Sequence, residues 1–358
     1  MANFKYSQVA DWLKNEIYSG NYPGGVKIPG EEELCVKFSV SRQTARQAIK
    51  VLENQGLLYK VQGSGTYVTR KIQGPPLRSE GKGRRCIGVI VNSTGDYLFP
   101  FLVQGIHDAL HQRGYGMQLF LSSQQILLEE QFLHTVLDGG VQGVIMEPVK
   151  SALPVINDGL YEKLTSQLPV VFTQPLHTPY PASAVTVDDR WGGELLVKHL
   201  LDKGHRNIGA ICKMDEQTGM RRYEGYMRAL LDLKLMVNNE RVIWYTSETE
   251  NEIFAGEQGD RLWEKIKDCT AVVCHTDRVA FYLIRFLADR GIRVPEDMAV
   301  TGFDDTGYAG MGKQITTIIH PKEMFGRKAA EIVLKMIEEP GYREDYCFSA
   351  VLKPGKST

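Results

Sequence analysis

At 358 residues the chain is longer than one ordinary core supports, so two or three domains are expected. Its 43% hydrophobic and 24% charged residues suit a globular protein in water, and no apolar run approaches the roughly 18 residues that a membrane helix needs. The near-zero net charge of −1 hides an asymmetry: residues 1–85 hold 14 Lys and Arg against 7 Asp and Glu, whereas residues 86–358 hold 28 against 36. A basic head on an acidic body is expected when one domain meets a polyanion and the other does not.

The opening "MANFKYSQVADWL" has no apolar signal core, so a cytoplasmic location is expected. The six cysteines are scattered without a C-x-x-C and read as reduced core residues.

The head reads as helices followed by a hairpin. "YSQVADWLKNEIYSG" spaces Val9, Leu13 and Ile17 helically and stops at Gly20. "EEELCVKF" predicts a second helix, with acidic residues in the first turn where the helix dipole favours them. Ser41 suits the N-cap of a third, "RQTARQAIKVLENQ", in which Ala45, Ala48, Ile49 and Leu52 form the apolar stripe and after which Gly56 ends the helix. "LLYKV" and "TYVTR" then read as two strands around "QGSG". Residues 1–70 are therefore expected to form an α+β winged helix-turn-helix. Residues 71–85, "KIQGPPLRSEGKGRR", have glycine, proline and charge but no apolar period, and read as a linker.

From residue 86 onward the pattern changes. Short apolar strands such as "CIGVIVNS", "GMQLFLSS", "VQGVIMEP", "LPVVFTQ", "NIGAICK" and "TAVVCHT" alternate with amphipathic helices. Near-continuous apolar strands between helices mean parallel sheets covered on both faces. Residues 86–358 are too many for one such sheet, so a two-lobed α/β body is expected. Ligands of such sheets bind outside the carboxyl ends of the strands.

Two chemistries follow. A recognition helix enters the major groove with its N-terminal residues against base edges; here these are Ser41, Arg42, Gln43, Thr44 and Arg46. Arg can bond guanine through two donors, and Gln matches adenine's donor and acceptor. A solvated charged face is the plainer reading of such a helix, but the adjoining wing tip (Gln62, Gly63, Ser64, Gly65, Thr66) offers close backbone approach to a duplex. Lys5 beside Tyr6, and Lys60, suit phosphate contacts. The same glycines cannot be a dinucleotide loop: Val68 stands where a third glycine is required, and no helix follows.

In the body, polar residues cluster after successive strands: Asp96, Tyr97 and Phe99; Glu147 and Lys150; Gln174; Asp188; His275 and Asp277; and Asp304 in "GFDD", with Arg222 near a helix start. Carboxylates, Arg and aromatic faces suit a sugar, whose hydroxyls take paired bonds and whose C–H faces stack on rings. Singly each is more simply a helix cap, as for Asp188 and Asp277; their repetition favours the ligand reading. His107 and His111 share a helix face but lack the Glu of H-E-x-x-H, Asp304-Asp305 has no second acidic cluster nearby, and no G-x-S-x-G elbow occurs. No metal, cofactor or catalytic residue is expected, and no enzyme.

The stretch "IPGEEELCVKFSVSRQTARQAIKVLENQGLLYKVQGSGTYV" resembles the GntR-type winged helix-turn-helix. The body, with "IGVIV", "RRYEGYMRAL", "VPEDMAVTGFDD" and "KEMFGRKAAEIVLKMI", resembles the LacI/GalR ligand-binding domain, which is periplasmic-binding-protein-like. The pairing resembles the arabinose-utilisation repressors, as do "DYLFPFLVQGI", "IMEPVKSAL" and "TIIHPKEMFGRKAA". The resemblance implies a homodimer on double-stranded operator DNA, associated with the nucleoid, with L-arabinose or a related sugar as effector. It implies operator contacts from Lys5, Arg42, Arg46 and Gln62, a contact surface ordered by Glu31, and sugar contacts from Arg222 and Asp304. Two positions depart from the pattern. Thr276 stands where LacI-type bodies carry Asn, which shifts the expected contact to His275, and Gly30 replaces the Ser or Thr that caps the second helix.

Overall fold

The computed structural model describes residues 5–18, 21–22, 25–54, 57–61, 64–68, 85–92, 98–174, 176, 180–235, 237–306 and 314–358. Gly20, Gly56, Gln62, Gly63, Asp96, Tyr97 and residues 71–84 of the expected linker lie outside the described residues, as does the side chain of Lys5. The chain divides into two compact units, residues 1–80 and 81–358.

The first unit holds α1 (Lys5–Tyr18), α2 (Glu31–Phe38) and α3 (Arg42–Asn54), then β1 (Leu58–Val61) paired antiparallel with β2 (Gly65–Val68). Val9, Leu13, Leu34, Ala45, Ile49, Leu52, Leu58 and Val68 make one core, so each helix and the hairpin contributes apolar surface. Burying a Leu or Val fully stabilises by about 1.5–3 kcal/mol, and no element this short would hold its shape alone. Gly30 offers α2 no capping side chain, but Glu33 reaches back and accepts from the Gly30 amide at 2.7 Å. Half of a capping box therefore survives the missing hydroxyl. Ser41 caps α3, accepting from the Thr44 amide at 3.2 Å.

The second unit contains two parallel sheets. The first is built from β3 (Cys86–Val91), β4 (Gly116–Leu121), β5 (Gly143–Met146), β6 (Val170–Phe172) and β7 (Ser183–Val187), with α4 (Leu98–Gln112), α5 (Ile126–Leu137) and α6 (Asp158–Gln167) between strands. After β7 the chain enters the second lobe: α7 (Asp189–Asp202), β8 (Ile208–Lys213), α8 (Gln217–Asp232), β9 (Val242–Tyr245), α9 (Gly256–Ile266), β10 (Ala271–Cys274), α10 (Asp277–Ala288) and β11 (Ala299–Thr301). It then forms β12 (Thr317–Ile319), returns as α11 (Lys322–Glu338) and β13 (Asp345–Phe348), and crosses again to β14 (Val351–Lys353), which pairs antiparallel with β12.

Strand order is β4-β3-β5-β6-β7-β13 in the first sheet and β9-β8-β10-β11 in the second. In each, the order reverses beside the strand that starts the lobe: β3 lies between β4 and β5, and β8 between β9 and β10. Such switch points leave a crevice at the carboxyl ends of the two strands, because the following connections leave in opposite directions. The strands at these points, β3, β5, β8 and β10, are almost wholly buried, as sheets covered on both faces must be.

Candidate effector cleft and DNA-reading face

The carboxyl ends of the two sheets face one cavity of about 310 Å³, at the small end of the roughly 300–1,000 Å³ usual for small-molecule sites. Asn92 after β3 and Glu147 after β5 bring the first switch point to it; Lys213 at the end of β8 and His275 after β10 bring the second. Phe99, Phe325 and Tyr245 supply aromatic surface.

Arg222 is closely held there, with 9% of its surface exposed. Nε donates to Asp189 Oδ1 at 2.8 Å, Nη1 to the His275 carbonyl at 2.6 Å, and Nη2 to Asp304 Oδ1 at 3.3 Å. The guanidinium stacks 3.5 Å from the centre of the Phe303 ring. Its helix is held very close to α7: a Cβ on Gly225 would lie 2.0 Å from the Arg190 carbonyl, and one on Gly193 would lie 2.2 Å from that of Arg222. Only glycine at both crossings lets α8 approach far enough for Arg222 to reach Asp189.

The remaining charges are also paired. Lys213 Nζ lies 2.5 Å from Glu216 Oε1, and both are buried. Burial works against the charge of each. Their mutual attraction wins, so the Glu216 carboxyl is held below, and the Lys213 ammonium above, its usual range. Arg278 Nε donates to Glu250 Oε1 at 3.0 Å. Glu147 accepts from the Asn92 amide at 3.0 Å and from Gln174 Nε2 at 2.8 Å. Burial lowers the pKa of His275, and pushes His320 down to about 4, so both rings are neutral at pH 7. Among the described residues lining the cavity, five carboxylates (Glu147, Asp189, Glu216, Glu250, Asp304) face three cations (Lys213, Arg222, Arg278), and each cation has a carboxylate partner. Such a site offers a neutral polyhydroxyl many donors and acceptors, and offers an anion no surplus positive charge.

In the first unit, Arg42, Gln43 and Arg46 are exposed on α3. Glu31 lies behind the two arginines: Arg46 donates Nε to Oε1 at 3.0 Å and Nη2 to Oε2 at 2.9 Å, while Arg42 Nε reaches Oε2 at 3.3 Å. The Arg46 side-chain bond, opposed by a smaller burial effect, holds the Glu31 carboxyl below its usual range. One carboxylate thus fixes two guanidinium groups on the same face. At the hairpin tip, the hydroxyls of Ser64 and Tyr67 lie 2.6 Å apart, and Tyr67 stacks on Tyr59.

Residues 5–68 match the bacterial regulatory proteins of the gntR family, and residues 197–358 match the periplasmic binding protein-like domain. The arabinose metabolism transcriptional repressor of Geobacillus stearothermophilus is 34% identical, over 94% of this chain and 92% of that protein. That of Halalkalibacterium halodurans is 32% identical, over 94% and 90%. The chain belongs to the family of arabinose metabolism transcriptional repressors. It is a DNA-binding repressor with a gntR-type head and a periplasmic-binding-protein-like body, and this class is regulatory, not enzymatic. Among solved structures, the CelR–cellobiose complex superposes with a TM-score of 0.68 at 23% identity, over 89% of this chain and 92% of that one, a likeness of fold. A LacI family regulator from Enterococcus faecium with bound ribose gives 0.63 at 25%, over 76% and 98%.

In this repressor, six of the residues picked out in the sequence line the cleft: Phe99, Glu147, Gln174, Arg222, His275 and Asp304. Three others do not. Asp188 caps α7, accepting from the Trp191 amide at 2.9 Å, because it is the last residue before a helix with orphan amides. Its neighbour Asp189 faces the cleft instead. Asp277 is buried against Gly302, where a Cβ would lie 2.2 Å from its Oδ1, and it accepts from the Thr306 amide at 2.8 Å. Lys150 leaves the cavity wall and crosses between lobes, 2.5 Å from Glu248 and 3.6 Å from Asp215. Thr276 both caps α10, accepting from the Val279 amide at 3.3 Å, and lines the cleft. Lys213, Glu216, Glu250 and Arg278 were not anticipated. Lys213 ends an apolar strand, so the rule that located Glu147 would also have found it.

Proposed function

We propose that a neutral sugar, L-arabinose first, binds in the inter-lobe cleft and releases a homodimer of this cytoplasmic, nucleoid-associated repressor from its operator. The carrying observation is the cleft around Arg222, whose neighbours Asp189 and Asp304 remain able to share bonds with ligand hydroxyls while no cation is left over for a phosphate. Phe99 and Phe325 supply the apolar surface on which sugar C–H faces stack. Glu147, Gln174, Lys213, Glu216 and His275 would complete the hydroxyl contacts from both lobes. Because the lobes contribute opposite walls, ligand binding changes the free energy of closing them, and a coupling of about 1–3 kcal/mol suffices for a 5- to 150-fold change in DNA affinity.

On the DNA side, Arg42, Gln43 and Arg46 read bases in the major groove, with Ser41, Thr44 and the wing residues Ser64, Gly65 and Thr66 beside them. Glu31 holds the arginines ready. Two heads of a dimer would meet half-sites about 34 Å apart or a multiple of it. The test is a mobility shift on DNA selected from a random library by the protein, at fixed salt because phosphate contacts make affinity salt-dependent. L-Arabinose should release the DNA, and sugar phosphates should not. Release by a sugar phosphate alone would refute the charge argument, and release by another neutral sugar alone would reassign the effector.

A further inference from the structure

The loop carrying Asp304 turns through two consecutive residues in the left-handed region, Asp304 at φ 96° and Asp305 at φ 47°. Asp tolerates that region singly, but two successive residues with a Cβ there are uncommon and are held by their surroundings. Here the holding groups come from the segments that run between the lobes. Lys353 of β14 places Nζ 2.9 Å from both carboxylate oxygens of Asp305. Lys322, at the start of α11, donates Nζ to the Asp305 carbonyl at 2.5 Å. The Asp305 amide donates to Thr317 Oγ1 at 3.3 Å, and the Asp304 amide to the Ile318 carbonyl at 2.9 Å. The loop is thus tied to β12, β14 and α11 at once, and on its other side its last bond aims Asp304 at Arg222.

We propose that Asp305 and Lys353 are positioning residues for effector recognition. Their ion pair keeps the backbone at 304–305 left-handed and so keeps the Asp304 carboxylate on Arg222 and on the ligand. Neither residue lines the cavity. The Lys353 side chain is 43% exposed, and an ion pair this open adds little to global stability, so its loss should act on the loop and not on the fold. The pair also joins the sugar-facing loop to β14, the last segment to cross between the lobes. Occupancy of the cleft and the geometry of the crossing are thereby mechanically connected. The inference rests on the cleft being the sugar site.

The test titrates the full-length protein with L-arabinose by calorimetry and measures, without sugar, its affinity for the DNA that the wild type shifts. Wild type is measured first, and absence of binding there would overturn the sugar reading and this inference with it. Lys353→Met and Asp305→Asn should each raise the sugar Kd by about tenfold while leaving the DNA Kd within about twofold. Asn tolerates left-handed backbone, so Asp305→Asn isolates the lost charge from any change of conformational preference. Lys353→Arg should restore sugar binding to within about threefold. If wild type binds but either variant shows an unchanged sugar Kd, the positioning role is refuted and the cleft assignment stands. DNA and sugar affinities falling together would also refute it, since the pair would then support the whole body.

Discussion

Replacing Gly225 by alanine isolates the packing that puts Arg222 in place. The new Cβ would stand 2.0 Å from the Arg190 carbonyl oxygen and 2.7 Å from the Glu194 amide of α7. Carbon needs about 3.5 Å from such atoms, so α7 and α8 must part by more than about 1 Å. Overpacking costs about 1–3 kcal/mol, and contacts made only with backbone put this case at the upper end. Alanine's better helix propensity returns about 1 kcal/mol, leaving a net loss of about 2 kcal/mol. For a body of this size that lowers Tm by about 3–4 °C. The functional effect should be larger than the thermal one. Arg222 lies one turn away on α8, and a recoil of that size carries its bonds to Asp189 and Asp304, now 2.8 and 3.3 Å, beyond hydrogen-bonding range. The sugar Kd should rise by about tenfold or more, while DNA affinity stays at the wild-type value because the head is a separate compact unit. Thermal melting, calorimetric titration with L-arabinose and a mobility shift measure the three quantities. Unchanged melting together with unchanged sugar affinity would show that close approach of α7 and α8 does not set Arg222.

Further substitutions divide along the same line between head and body. Arg222→Ala should keep DNA binding and abolish sugar-induced release in a mobility shift; normal release would place the effector elsewhere. Arg46→Ala should weaken DNA binding by about tenfold or more with the sugar Kd unchanged by calorimetry, and loss of both would point to misfolding. Burial pushes the Glu129 carboxyl up to about 7 although it accepts from the Val149 amide at 2.6 Å and from Tyr161 Oη at 2.8 Å. The folded state then keeps a proton that the unfolded state releases, so this group lowers stability as pH rises from about 4.5 to about 7, by at most about 3 kcal/mol. In Glu129→Gln, urea melts across that range should lose this part of the slope; an identical slope would mean that the carboxyl is ionised in the fold.

Much of this organisation is legible without coordinates. "EEELCVKF" and the stripe Ala45, Ala48, Ile49 and Leu52 announce α2 and α3, and the apolar runs of the body announce two parallel sheets. Other elements are harder to read. In α9, "GEQGDRLWEKI", Gly259, Leu262 and Ile266 are buried at helical spacing, but only two of the three are large and apolar, so the stripe is short. β12 and β14 are three residues each and owe their existence to one another, from opposite sides of α11. At the site, strand ends point to Glu147, Gln174 and His275, but a pair such as Asp188 and Asp189 cannot be resolved by pattern. The first of the two meets the orphan amides of α7, and the helix turn carries the second to Arg222.

What the sequence alone determines is local and periodic: where helices and strands run, that a basic reading head precedes an acidic two-lobed body, and that ligand chemistry gathers after strands. The tertiary structure decides which of those polar residues meet. Arg222 finds Asp189, Asp304 and the His275 carbonyl only because two glycines let α8 close on α7 and because a left-handed loop returns Asp304 from another strand. These partners lie 33, 82 and 53 residues away along the chain, respectively. Hydrogen bonds act over about 3 Å, and contacts so remote in sequence are set by packing of the whole lobe, which no local pattern encodes.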